Sequence, residues 1–458
     1  MRWVVVVLVG LLPACSVTKG KFSAQNNPGV ALPSSFQAHA DEGPELVNSL
    51  ARVFPSSELN RLVRIALKQN PDLRQSAARL EEAGYNTRAR QALLKPSLSA
   101  NFNGTRSQSN TAGVGFNGGT FITDRFSATL DAQWELDVWG RLRAGVSGAR
   151  ATQAALLFDD QAARQSIAAQ VAQAYFEVVA ATQRRELARR NLRTFESTAS
   201  QVERRFEAGL AQLGDLNLAQ TDVERTKTTL EARKDERDQA ARRLAAVMGR
   251  YPDASMGAAD FPSLARRVPA GVPSSVLLRR PDLLAAFYRV RAADADITIA
   301  QANLLPSFSL TASAGRRSEE LKRLLDPNQT IWSLGTNLVA PLVAGGRLRA
   351  ELGAANARGR LALAGYQAVV LTALREVENA LGSASALARQ EDAAGKALDA
   401  ARQAEESASR SFENGLTDIL SLLQAQQRAF AAEESLIGIR AARFQNRVAL
   451  ALALGKAY

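Results

Sequence analysis

Phe126, Ala128, Leu130, Ala132, Trp134 and Leu136 alternate with Ser127, Thr129, Asp131, Gln133, Glu135 and Asp137. A period of two sends successive side chains to opposite faces, so this run predicts a strand with one apolar and one fully polar face. The alternation recurs elsewhere. Leu98, Ala100 and Phe102 alternate with Ser97, Ser99, Asn101 and Asn103; Phe308, Leu310 and Ala312 with Ser307, Ser309, Thr311 and Ser313; and Trp332, Leu334 and Leu338 with Ser333, Gly335 and Asn337. The pattern predicts four strands, at about 97–110, 121–138, 307–317 and 330–341.

Around these strands the period is helical. Residues 72–94 and 282–304 are rich in helix formers, and Pro71 and Pro281 suit a first helical turn. No proline occurs between Pro96 and Pro252, and none after Pro341. From Arg141 to Ala208 nothing breaks a helix strongly, and 68 residues at ~1.5 Å each make a rod on the order of 100 Å. Its apolar spacing is heptad-like: Ile167, Val171, Ala174, Val178 and Ala181, then Ala188, Leu192 and Phe195, with Arg185 interrupting. Val370, Ala373, Val377, Ala380, Ala384 and Leu387 mirror it. Such a seam needs partner helices, and its alanines favour close packing. Each rod ends at a glycine, Gly209 or Gly415, and a second helix returns to Gly249 or Gly455, which makes helical hairpins of 141–249 and 347–455.

The chain is written twice. Asn70-Pro71-Asp72-Leu73 returns as Arg280-Pro281-Asp282-Leu283, and Lys95-Pro96-Ser97 as Leu305-Pro306-Ser307, both at an offset of 210. The offset then contracts to 206, at which Gly140-Arg141-Leu142-Arg143 matches Gly346-Arg347-Leu348-Arg349, Gly209-Leu210 matches Gly415-Leu416, and Gly249 matches Gly455. A register held over about 110 residues means two copies of one structural unit. The expected organisation is a signal peptide at 1–14, a lipidated tether at 15–56, a first repeat at 57–255, a linker at 256–278 and a second repeat at 279–458.

Composition removes most chemistry. The 458 residues are 6% aromatic and include one Cys and one His, so disulfide frameworks, Cys/His zinc sites and Ser/His/Asp catalysis have almost nothing to work with. No convergent acid/base or nucleophilic set is visible, and neither an enzyme nor a cofactor is expected. Gly113-Val114-Gly115-Phe116-Asn117-Gly118 fits a dinucleotide fingerprint but lies between two strands and opens no helix; it reads as a hairpin loop. The net charge of +12 comes partly from arginine pairs such as 184/185 and 242/243, interleaved with Glu and Asp along helices. That pattern suits water, anionic headgroups or an acidic partner better than nucleic acid. The single cysteine follows an apolar run: Trp3 to Leu12, then Pro13-Ala14-Cys15, which reads as a signal peptide ending in a lipobox with Cys15 as the lipid attachment site.

Strand edges set the next constraint. Single-chain membrane barrels begin at about eight strands, and an open sheet would leave backbone groups unpaired in lipid at several kcal/mol each. Four amphipathic strands therefore require oligomerisation. Two copies would give a filled barrel of about eight strands and three an open one of about twelve; the pattern does not decide.

The order of helix, hairpin, long helix, glycine turn and returning helix resembles the TolC-type outer membrane factor family, and Cys15 its OprM-like or NodT-type lipoproteins. The carrying residues are Arg280-Pro281-Asp282-Leu283, Leu305-Pro306-Ser307, Ala340-Pro341-Leu342 with Gly345-Gly346-Arg347, Glu376-Val377-Glu378-Asn379-Ala380-Leu381, and Gly415-Leu416 through Leu423-Gln424-Ala425-Gln426. The resemblance implies a mainly α fold with a membrane β-barrel: a homotrimer with four strands per chain in a twelve-stranded barrel, and an α-barrel of helical hairpins in the periplasm. It implies the passive exit duct of a tripartite efflux pump, with a periplasmic adaptor, an inner-membrane pump and outer-membrane lipid as partners. The duct of type I protein secretion is an alternative, and a lipid-anchored coiled-coil scaffold is one of another class that would not need four half-apolar strands. Gly209, Leu210, Gly415 and Leu416 are then the periplasmic tip for adaptor contact. The family often places a ring of Asp in the last helix; the matching position here is Gln424, with Gln427 where a basic residue sometimes stands. Asp215, Asp418 and Leu420 join Gln424 as gate candidates.

Overall fold

The computed structural model describes residue 30 and residues 36–38, 54–110, 120–257, 260–262, 264 and 279–455. Cys15, the signal peptide, most of the tether, the glycine-rich 113–118 and most of the linker lie outside the described residues. The first repeat contains α1 (Ser57–Gln69), α2 (Pro71–Ala92), β1 (Ser97–Asn110), β2 (Thr120–Leu136), α3 (Arg141–Glu207) and α4 (Leu213–Val247). The second contains α5 (Pro281–Ala302), β3 (Ser307–Ser318), β4 (Thr330–Val339), α6 (Arg347–Glu413) and α7 (Ile419–Ala453). The duplication is thus also structural: α3 and α6 each run 67 residues, and α4 and α7 each run 35. Pro71 and Pro281 are the first residues of their helices, where a missing N–H costs nothing.

The chain divides into two compact units, and the long helices pass from one to the other. One unit holds residues 79–157 and 285–367 and contains the sheet. Its four strands run in the order β1-β2-β3-β4, every neighbour antiparallel, with β2 and β3 joining the repeats. The register settles the faces. Ala100 pairs with Leu130, Leu130 with Ala314, and Ala312 with Leu334. All four apolar parities therefore coincide on one face, and Asn101, Thr129, Asp131, Thr311, Ser313 and Ser333 share the other. The apolar face is bare in the single chain: Leu334 is 73% and Trp332 79% exposed.

The strands stop for local reasons. Asp137 leaves β2 to accept from the Leu142 N–H at 2.9 Å and the Arg143 N–H at 2.8 Å, capping α3. β4 ends at Val339, short of Pro341, which has no N–H to give a ladder. Trp139 Nε1–H ties the turn after β2 to the Pro306 carbonyl at 2.7 Å, just before β3 begins.

The other unit holds residues 158–284 and 368–455, together with 54–78. The heptad residues of α3 form its core: Ile167, Val171, Ala174, Val178 and Ala181 are buried with Phe176, Leu244 of α4 and Phe444 of α7. Phe444 lies tilted 4.7 Å from Phe176 and stacks 4.8 Å from Phe261, and Phe54 closes the cluster 4.9 Å from Phe176. Helix α1 presents Leu59, Leu62, Val63 and Ala66 to the same core, at helical spacing.

Candidate functional site

Both long helices end in the same turn. Gly209 has φ +71° and Gly415 φ +74°, left-handed values that glycine adopts without Cβ strain. The Leu210 N–H donates back to the Arg205 carbonyl at 2.8 Å, and the Leu416 N–H to the Ser411 carbonyl at 2.8 Å, which satisfies the last helical turn. The residue after each glycine then has nowhere to pack: Leu210 is 77% and Leu416 79% exposed.

The returning helices start differently in the two repeats. In α4 the Asp215 carboxylate reaches back to the Gln212 N–H at 3.0 Å, closing a capping box. In α7 Asp418 is itself the N-cap and accepts from the Ser421 N–H at 2.8 Å. Hydrogen bonds from the Ser421 side chain and backbone hold the Asp418 carboxyl below the usual aspartate range. Both aspartates are therefore helix caps. On α7, Leu420, Gln424 and Gln427 form one exposed stripe, opposite the buried Ile419, Leu422, Leu423 and Gln426.

The two hairpin ends pack on each other. Phe195, Val202 and Val223 of the first share a core with Phe412, Ile419, Leu422 and Leu423 of the second. The Arg205 guanidinium lies 4.4 Å over the Phe412 ring. Two amide pairs cross between hairpins: Gln426 Nε2 donates to Thr198 Oγ1 at 3.0 Å in the interior, and Gln427 Nε2 to Asp222 at 3.3 Å on the surface. Sequence reasoning singled out the turns but not Thr198, Arg205 or Asp222, whose partners lie more than 200 residues away and leave no local signal.

A second polar centre joins motifs that are far apart in sequence. Arg280 is buried and forks onto Asp282 at 3.0 and 2.7 Å, reaching Glu376 at 2.6 Å and the Ala453 carbonyl at 3.2 Å. Burial works against its charge, but Asp282 and Glu376 outweigh it and raise the guanidinium above its usual value. Two residues on from Glu376, Glu378 accepts from the backbone N–H of Gln37 and of Ala38, both at 2.8 Å, and Phe36 packs against Val377 and Leu381. Among the described residues no cluster of His, Cys, Asp or Glu could hold a metal ion.

The family model described as outer membrane efflux protein matches residues 62–250 and again 272–456, once for each repeat. This chain belongs to the outer membrane efflux protein family. Outer membrane protein OprJ of Pseudomonas aeruginosa is 33% identical over 386 residues, covering 83% of this chain and 80% of OprJ. Pyoverdine export outer membrane protein OpmQ of the same organism is 30% identical over 455 residues, covering 97% of this chain and 94% of OpmQ. The solved structure of the outer-membrane channel OprN superposes with a TM-score of 0.90 at 26% identity, over 96% of this chain and 99% of OprN. As a member of this efflux family, the chain is an outer-membrane duct of an efflux pump and extends into the periplasm.

Proposed function

We propose that three copies close their sheets edge to edge into a barrel of about twelve strands, and that the trimer is a passive exit duct for small molecules. The observation that carries this reading is the sheet itself: one face that carries the apolar alternation of all four strands, bare in the single chain and suited to lipid, a polar face suited to the duct, and two free edges at β1 and β4. Such edges cannot persist in a bilayer, and a copy on each side pairs both. Relatives named for pyoverdine export, toluene efflux and cation efflux align with this one chain, so the pump, rather than the duct, chooses the cargo. Cys15 carries the lipid and assists placement only, since the barrel buries far more apolar surface than one anchor.

The exposed Leu210 and Leu416 dock a periplasmic adaptor, their backbone set by Gly209 and Gly415. Just inside the tip, Leu420 narrows the resting duct, with Asp418, Asp215 and Gln424 as the neighbouring polar groups. The test replaces Leu210 and Leu416 together with Glu in a strain lacking its own copy. Export should be lost while the boiling-sensitive oligomer still forms; undiminished export would remove the tip from the reading. In single-channel recordings Leu420→Ala should raise conductance, and an unchanged conductance would move the gate elsewhere.

A further inference from the structure

The polar face of the sheet is not uniform along its length. Near the helices it carries acids that are already engaged. Glu135 is paired with Arg141 at 2.7 Å, and Asp131 accepts from Asn101 Nδ2 at 2.6 Å and Thr129 Oγ1 at 3.0 Å. At the opposite end, about 33 Å along β2 from Glu135, the same face carries Arg125, followed by Arg317 on β3. Arg317 pairs in register with Ser127, two residues from Arg125, so both guanidiniums stand on one patch of the polar face. Both residues are exposed, and neither has an ion-pair or hydrogen-bond partner among the described residues.

The contrast with the lipid-facing parity at the same level is informative. There Arg106 is paired with Asp124 at 3.7 Å, and Arg316 donates to the Leu325 carbonyl. Arginines on the outer surface are neutralised or tied down, whereas those on the inner surface are left free to act on solutes. We propose that Arg125 and Arg317 form a cationic ring at the outer mouth of the duct that speeds the exit of anionic small molecules, such as carboxylates and sulfonates, over cationic ones. This rests on the trimeric duct proposed above, which places two arginines per chain, and so about six, around one lumen. A charged ring in a narrow mouth with low-dielectric walls focuses its field into the solution it surrounds.

The test reads the local potential with a cysteine at Ser127, between the two arginines. The intact full-length Ser127→Cys protein in vesicles is labelled with an anionic sulfonatoethyl and a cationic trimethylammonioethyl thiosulfonate. The anionic-to-cationic rate ratio should fall about tenfold when Arg125 and Arg317 both become Gln, the size expected for fixed charges within a Debye length of the thiol. At Ser309→Cys, which shares the face but pairs with Glu135, the same substitutions should leave the ratio unchanged, because the distance exceeds a Debye length. If the double variant does not insert, Arg125→Gln and Arg317→Gln singly should each give a fall of about threefold. In a salt gradient across a bilayer, the double variant should shift the reversal potential toward cation selectivity, and Arg106→Gln should not.

An unchanged labelling ratio at Ser127 with an unchanged reversal potential would overturn the ring while leaving the duct intact. A Ser127→Cys thiol closed to both water-soluble reagents but open to a membrane-soluble maleimide would overturn the facing of the sheet, and the ring with it.

Discussion

At the residue scale, two glycines do different work and should fail differently. Gly209 needs its left-handed φ, but a Cβ there would meet nothing within 4 Å. Gly209→Ala should therefore cost only backbone strain, about 1 to 2 kcal/mol, and leave the oligomer in place. Gly315 has no such freedom: a Cβ there would lie 2.1 Å from the Ala128 carbonyl oxygen and 2.7 Å from Thr129 Cα, both backbone. Gly315→Ala should abolish the heat-stable oligomer on an unboiled gel; an oligomer with wild-type melting would contradict this β2–β3 register. Asp418 gives a pH prediction. Its carboxyl is held below the usual aspartate range, so its capping contribution is present above about pH 4 and is lost as pH falls through the lower folded value. Hydrogen exchange at Ser421 should be flat from pH 8 to 5 once corrected for intrinsic rates, and Asp418→Ala should accelerate it throughout. The glycine turns were legible in the sequence because each recurs at one offset. The Glu378 grip on Gln37 and Ala38, and the Thr198–Gln426 pair, were not, because both exist only once distant segments have folded together.

At the element scale, alternation revealed the strands and the apolar parity they share, since one common face imposes period two on every strand that contributes to it. It could not set their ends. The apolar alternation continues to Val138, yet Asp137 turns away to cap α3. The parity can be tested directly. Arg in place of Leu130 or Leu334 should cost roughly 2 to 4 kcal/mol of barrel stability at mid-bilayer, whereas Arg at Thr129 or Ser333 should be tolerated. Refolding yields into lipid vesicles that fell equally for both parities would show that the sheet does not divide lipid from water. The helical seam follows the same logic at a period of about 3.5: Val171, Val178, Val370 and Val377 are all fully buried within one chain.

At the scale of the whole molecule, the repeat and the family match agree on one unit used twice, and neither repeat alone can close a barrel. The number of copies was the part the sequence left open, because strand patterning fixes what each face touches but not how many edges meet. The exposed apolar face and the free edges of β1 and β4 demand neighbours, and an open lumen needs about twelve strands. Native mass spectrometry of the detergent-extracted full-length protein, before and after boiling, counts those neighbours directly. The expected result is a three-chain species that collapses to single chains on heating; a folded single chain, or a two-chain species, would contradict the duct.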